Sequence, residues 1–336
     1  MIVSFYDREF NALLNNASLL IDKNSYNLIK RPIEINDFRC VCEPFTEDIQ
    51  PTFLVVKDDR GNNKELVYSA LAGVPILNKD NKTEINATDL KTLFSSDVII
   101  QYETYGNISQ VINKIFTEWD NQVNKGTINC RIIFKDNTGA TQLTNLIPST
   151  EKQVYNALDE ISAYLNYYDL YIDSNIDLIS KEVVFTIGKI MQYDKNIKLW
   201  EYGIRNYGKW VADVNETQGY DSNFNDGIRW ILTKDNKITI TESERDIYPI
   251  KRRVFVNDDI NEANKEALVE LLNARYNENL EIPTNDSNIG FETKFNIYLK
   301  RGGELYKSLP CGELKYNSSG LYEIQIGFRY VGVDFI

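Results

Sequence analysis

From Phe291 to Lys300 the chain alternates with a period of two. Phe291, Thr293, Phe295, Ile297 and Leu299 stand between Glu292, Lys294, Asn296, Tyr298 and Lys300, which puts the first set on one face of a strand. The pattern returns near the end, where Tyr322, Ile324, Ile326, Phe328 and Tyr330 interleave with Glu323, Gln325 and Arg329 after a Ser318-Ser319-Gly320 turn. Earlier, the apolar residues of Leu54 to Val56 and of Leu66 to Leu71 flank KDDRGNNKE, and Leu77 and Ile85 flank NKDNKT, so both polar stretches predict hairpin turns. Cys130 to Phe134, Tyr168 to Ile172, Glu182 to Ile190 and Arg253 to Val256 are further strand candidates, and RWILTKDNKITITE predicts a hairpin with Asp235 and Asn236 in its turn.

A three-to-four spacing marks helices instead. Ile108, Val111, Ile112, Ile115, Phe116 and Trp119 form one stripe, preceded by Asn107 and Gln110 at capping-box spacing. Thr150 and Gln153 repeat that spacing and predict a helix whose apolar face includes Val154, Leu158, Ile161 and Leu165. A third helix, 259–278, carries Ala263, Ala267, Leu268, Leu271, Leu272 and Arg275 on one face; Asp258, Asp259 and Asn261 offer oxygens to its first free N–H groups, and Asn279 and Pro283 end it. Thr88 is placed to cap a short helix from Asp89 to Phe94, ahead of a strand from Val98 to Ile100.

These elements predict an α+β chain that is mainly β, in three parts. Residues 1–102 suit a small barrel or sandwich, 103–191 an α/β insertion domain, and 192–336 a second β domain with helix 259–278 and closing strands. With 336 residues there is length for two or three cores, and no repeat of 20 to 50 residues is visible.

Composition narrows the chemistry. The 49 acidic against 37 basic residues leave a net charge of −12, which argues against binding nucleic acid through phosphates. There is no histidine, so Ser-His-Asp and Cys-His nucleophile pairs and the usual zinc and non-haem iron sites are absent together. Cys40 and Cys42 form a C-x-C, but Cys130 and Cys311 are remote, and four buried free thiols are the expectation. No apolar run approaches the roughly 20 residues that span a bilayer, and MIVSFYDREFN lacks the basic start and apolar centre of a signal peptide, so folding in a cytoplasm is expected.

Three near-motifs fail their own mechanics. Gly203 to Lys209 (GIRNYGK) has the spacing of a phosphate loop, but Trp210 stands where a Ser or Thr must hold magnesium. Asp221, Asn223 and Asn225 begin like a calcium loop, yet Gly227 comes one place late and Leu232 stands where the closing Glu belongs. Trp200, Trp210 and Trp230, with Tyr207 and Tyr220, could stack sugars, although aromatics in β domains more often serve cores and contacts. No catalytic, cofactor-binding or metal-ligating residue is assigned, and no cofactor is expected. Two acids for glycoside hydrolysis could come from distant strands, and nothing singles them out among 49.

The order of parts resembles the central hub of a phage tail baseplate, the tail-associated (Tal) hub proteins of long-tailed non-contractile phages, related to the central hubs of contractile phages. The resemblance is carried by the early β region closing with DLKTLF and VII, by YGNISQVINKIFTEW, by TEKQVYNALDEISAYLNYYDLYID running into KEVVFTIGK, and by DIYPIKRRV leading to DINEANKEALVELLNARYNENLEIP. It implies two tail-tube-like β-barrel domains with the α/β domain inserted between them and a small additional C-terminal α/β element. It also implies a non-enzymatic homotrimer that docks on a hexameric distal tail protein and other baseplate components, in a virion assembled in the bacterial cytoplasm. Such a hub caps the tube and opens for DNA, which passes without being specifically bound. The alternatives are a carbohydrate-binding tail protein for attachment to host cells and a cell-wall hydrolase.

Overall fold

A computed structural model describes residues 2–13, 19–21, 27–44, 49–58, 65–143, 151–198, 229–232, 238–241, 253–256, 280–284, 286, 288–298, 303, 305, 307–317 and 320–327. The chain divides into two compact units. The first comprises Met1–Lys189, Pro283–Gly290 and Glu313–Ile324; the second comprises Ile190–Ile282, Phe291–Gly312 and Gln325–Ile336.

Up to Lys189 the strands and helices are β1 (Ile2–Tyr6), β2 (Leu19–Leu20), β3 (Asn27–Lys30), β4 (Asp37–Cys42), β5 (Phe53–Asp58), β6 (Glu65–Ala72), β7 (Ile76–Leu77), β8 (Thr83–Asp89), β9 (Asp97–Ile100), α1 (Ile108–Trp119), β10 (Cys130–Phe134), β11 (Gln153–Asn156), α2 (Ala157–Tyr167), β12 (Leu170–Asp177) and β13 (Glu182–Lys189). Beyond it come β14 (Tyr193–Lys198), β15 (Arg229–Leu232), β16 (Ile238–Thr241), β17 (Arg253–Val256), β18 (Leu280–Pro283), β19 (Thr293–Tyr298), β20 (Lys307–Asn317) and β21 (Gly320–Ile326).

In the first unit an antiparallel sheet runs β3-β4-β8-β6-β5-β1-β2, with β20 on the outer side of β3 through Leu314↔Lys30 to Tyr316↔Leu28. Both hairpins read from the sequence form, β5 with β6 and β7 with β8. Alternate residues face inward, so Val3, Phe5, Leu28, Phe38, Cys40, Leu54, Val56, Tyr68 and Ile85 make one core. Each large apolar side chain buried this way contributes about 2 kcal/mol.

Neither expected barrel forms among the described residues. Among the described residues no sheet closes on itself. On the β2 side a single bridge, Ile21↔Cys42, and a Glu43 N–H to Leu20 carbonyl bond stand where closure needs a continuous ladder. Strand β2 has only two residues, too few to supply one. In the second unit β14 and β19 are parallel, β19 and β20 antiparallel, and β16-β15-β17 form a separate three-stranded sheet. Among the described residues that arrangement is an open set of strands.

The first unit also holds a three-stranded sheet, β10-β13-β12, with α1 and α2. Strand β10 runs parallel to β13, from Cys130↔Val183 to Phe134↔Ile187, and β12 runs antiparallel to β13. Helix α1 starts on a complete capping box, with the Asn107 side chain accepting from the Gln110 N–H and the Gln110 side chain reaching back. Its stripe Ile108, Val111, Ile112, Ile115 and Trp119 is fully buried, while Phe116 is only partly so.

The second predicted box is not used. Gln153, Val154 and Tyr155 continue as strand β11, paired with β9, and α2 begins only at Ala157, capped by Asn156. Val154 therefore leaves the predicted helix face and is exposed. The 3-10 turn Leu90–Phe94 shows a similar shift of one place, since its N-cap is Asp89 and not Thr88.

Candidate functional site

The 3-10 turn after β8 carries the most concentrated polar chemistry in the described structure. Asp89 and Lys91 are each 1% exposed, an environment in which a charge survives only if its partners are complete. Those partners are present. Lys91 Nζ lies 3.3 Å from Asp89 Oδ2 and donates to the backbone oxygens of Glu34 and, at 3.4 Å, Arg31. Asp89 Oδ1 accepts from the Lys91 N–H at 3.0 Å and from the Ser174 hydroxyl at 2.9 Å; Asp89 Oδ2 accepts from Asn36 Nδ2 at 2.8 Å. Asn36 in turn accepts from the Arg31 N–H through its side chain and from the Tyr68 hydroxyl through its carbonyl.

Three stretches remote in sequence therefore meet at one carboxylate: the 31–36 loop, the β8 end and β12. A second pair, Lys30 Nζ to Asp173 Oδ1 at 3.3 Å, sits beside them. Along the same strand β12, the Ile172 N–H bonds the Pro32 carbonyl at 2.8 Å and the Ile176 N–H bonds Ser69 Oγ at 3.2 Å. Burial pushes the Lys91 ammonium below its ordinary pKa, and the nearby Asp89 and Asp173 offset this only in part. Lys30 is held above its ordinary value: burial works against that, and the charge and hydrogen bond of Asp173, joined by Tyr316 and Asp89, together outweigh it.

This cluster is closed, and its donors and acceptors are spent on each other. It is suited to fixing geometry and offers no free acid or base to a substrate. A buried carboxylate also stands at the start of α2, where the Tyr102 hydroxyl donates to Glu160 Oε1 at 2.5 Å, and burial together with Glu160 raises the Tyr102 and Tyr164 phenols. An open groove on the sheet is lined by Arg39, Leu71, Gly73, Asn86, Thr88 and Thr92, and its one charged group, Arg39, is paired with Glu84 at 3.2 Å.

The thiols follow the sequence reading with one exception. Cys40, Cys42 and Cys311 are buried and in no disulfide, but Cys130 is partly exposed at the start of β10. Cys40 Sγ and Cys42 Sγ lie 3.8 Å apart, and that contact and burial raise the Cys40 pKa. Burial, reinforced by Asp120 and Glu182, pushes Cys130 up to about 12. Thiols held protonated in this way are poor nucleophiles and poor metal ligands. Among the described residues no three His, Cys, Asp or Glu side chains gather as a metal site, and no helix is long and apolar enough to cross a membrane.

The GIRNYGK stretch, the Asp221 to Gly227 loop, helix 259–278 and the aromatics Trp200, Tyr207, Trp210 and Tyr220 lie outside the described residues; Trp230 falls in β15, whose backbone alone is described. Sequence reasoning missed the Asp89 cluster. Its signal was a lysine inside the apolar run LKTLF, directly after an acid that could cap.

No protein-family model and no curated protein matches the sequence. Solved structures do match in fold. The chain is similar to the prophage tail protein gp18 from Listeria monocytogenes EGD-e, with a TM-score of 0.56 and 12% identity over 97% of this chain and 94% of that one. It is similar to the 43 kDa tail protein of prophage MuSo2 from Shewanella oneidensis, with a TM-score of 0.54 and 12% identity over 100% and 99% of the two chains. It is also similar to a chain of the half-lidded Francisella PdpA-VgrG complex, with a TM-score of 0.53 and 12% identity, where all of this chain spans 59% of that one. At such identity the likeness concerns architecture: this chain has the fold of phage tail proteins and of a PdpA-VgrG complex chain.

Proposed function

We propose that this chain is a non-enzymatic structural protein of a phage tail, a hub that assembles as a homotrimer at the distal end of the tail tube and opens for DNA. The observation that carries the reading is the two-way coverage of the fold: 97% and 100% of this chain align with 94% and 99% of two prophage tail proteins. A likeness that spans both chains nearly end to end concerns the whole architecture and not one shared module.

The chemistry supports the same reading. The chain has no histidine; among the described residues the Asp89 cluster is saturated and the Cys40 and Cys130 thiols are held protonated. A net charge of −12, wherever it faces passing DNA, repels phosphates and prevents adsorption. The partners of this hub are other baseplate components, among them a hexameric distal tail protein. Opening is a rearrangement of packed domains, with no reaction at a site.

Light scattering on the purified chain, alone and mixed with the distal tail protein of the same phage, tests the proposal. A trimer mass that shifts to a complex on mixing is the expected result. A monodisperse monomer that never joins the distal protein would overturn it.

A further inference from the structure

Strands β9 and β11 form a small antiparallel sheet, from Asp97↔Asn156 to Ile100↔Gln153. The Ala157 N–H bonds the Ser96 carbonyl at 2.9 Å, which sets the alternation of the ladder. The bonds between the two strands then fall at Ser96, Val98 and Ile100, and the N–H and C=O of Ile99 point to the opposite edge. That edge is occupied by a side chain. The Ile99 N–H donates to Gln122 Oε1 at 2.9 Å, and Gln122 Nε2 donates to the Ile99 carbonyl at 2.9 Å. One carboxamide thereby makes the two bonds that a residue of a third antiparallel strand would make.

The chain goes to some length to place it. After Trp119 helix α1 widens into a π turn, Asp120–Asn124, closed by Lys125 at φ 51° and Gly126 at φ 67°. Asn124 fixes the turn by donating to Asp120 Oδ1 and the Ile128 carbonyl and accepting from the Ile128 N–H. Gln122 Nε2 also donates to Glu118 Oε2 at 2.8 Å, and Lys114 holds Glu118 at 2.8 Å. The protected edge is an inviting one: Ile99 is 50% exposed and Val154, directly opposite it, 67%. The N–H and C=O groups of an unpaired sheet edge are a template for a strand of another chain.

We infer that Gln122 is a built-in plug, an autoinhibitory contact that holds the β9 edge shut against strand addition. The full chain carrying Gln122→Ala tests it by amide hydrogen exchange and by light scattering across a concentration series. Exchange at Ile99 is expected to rise about tenfold while Val98 and Ile100 keep their protection. Mass is expected to climb with concentration, and adding Ile99→Lys is expected to restore the wild-type mass.

Gln122→Glu keeps the size of the side chain and its acceptor but loses the donor, so it reports even if alanine frays the π turn. It is expected to raise exchange at Ile99 by a smaller factor. Unchanged exchange at Ile99 in both variants, or a Gln122→Ala mass that follows wild type at every concentration, would overturn the inference.

Discussion

The five-residue 3-10 turn Leu90–Phe94 is anchored at its two ends by opposite physics. At the start, Asp89 and Lys91 hold the 31–36 loop and β12 through directed bonds. At the end, Phe94 is fully buried among Trp119, Phe185 and Phe116, with ring centroids at 4.8, 4.5 and 6.1 Å. The Trp119 indole N–H is satisfied by the Leu93 carbonyl at 2.7 Å. The aromatic end depends on volume and excluded water, so many shapes serve it nearly as well. The ionic end depends on each donor facing its acceptor, and losing the carboxylate at its centre undoes the whole set. A few residues of chain can thus combine a tolerant contact with an exacting one.

The sharpest test of that contrast is Asp89. Asp89→Ala strands a buried ammonium and leaves Asn36 and Ser174 without their acceptor, and is expected to cost about 4 to 5 kcal/mol by chemical denaturation. The isosteric Asp89→Asn is expected to rescue little of this. Phe94→Ala is expected to cost about 3 to 4 kcal/mol, but Phe94→Leu under 1.5, roughly, because apolar volume is largely kept. Equal tolerance at the two ends would erase the distinction.

Lys91→Met is milder, about 1 to 2 kcal/mol, since Asp89 keeps three other donors and a flexible apolar stem replaces the lysine. Its pH dependence carries the sign of the buried amine. The folded-state pKa of Lys91 is lowered, so unfolding takes up a proton, and wild-type stability gains on the variant as pH rises toward the ordinary value of 10.5. Denaturation curves of the two proteins between neutral and alkaline pH read this directly, and a constant gap would mean that the amine is not desolvated. At the small end, Ser174→Ala removes one bond to Asp89 and is expected to cost about 1 kcal/mol.

What was legible in the sequence was local. The α1 box and stripe and the β10 bounds are where the pattern put them, because each is decided by neighbours three or four positions away or by a short apolar run. Thr150 and Gln153 carried the same signal as Asn107 and Gln110 and lost to a remote partner: the residues that would have opened a helix pair with β9, more than fifty positions earlier. The Asp89 cluster was hidden for the same reason, since Asn36 and Ser174 lie 53 and 85 positions from the carboxylate they complete. Sheet closure is a property of the whole strand order, and the alternation that located strands carried no information about it. That is why two barrels were expected and open sheets are found.

Strand β20 contributes Lys307 to Pro310 to pairing with β19 and Leu314 to Tyr316 to pairing with β3. The polypeptide that borders the first sheet is thus made by the ribosome more than 280 residues after the strand it covers. Until it emerges, β3 offers a bare flank during translation. Nascent chains of this protein should therefore lean on chaperones late in synthesis, and cuts shortly before Lys307 should yield insoluble material where cuts elsewhere yield merely weakened folds.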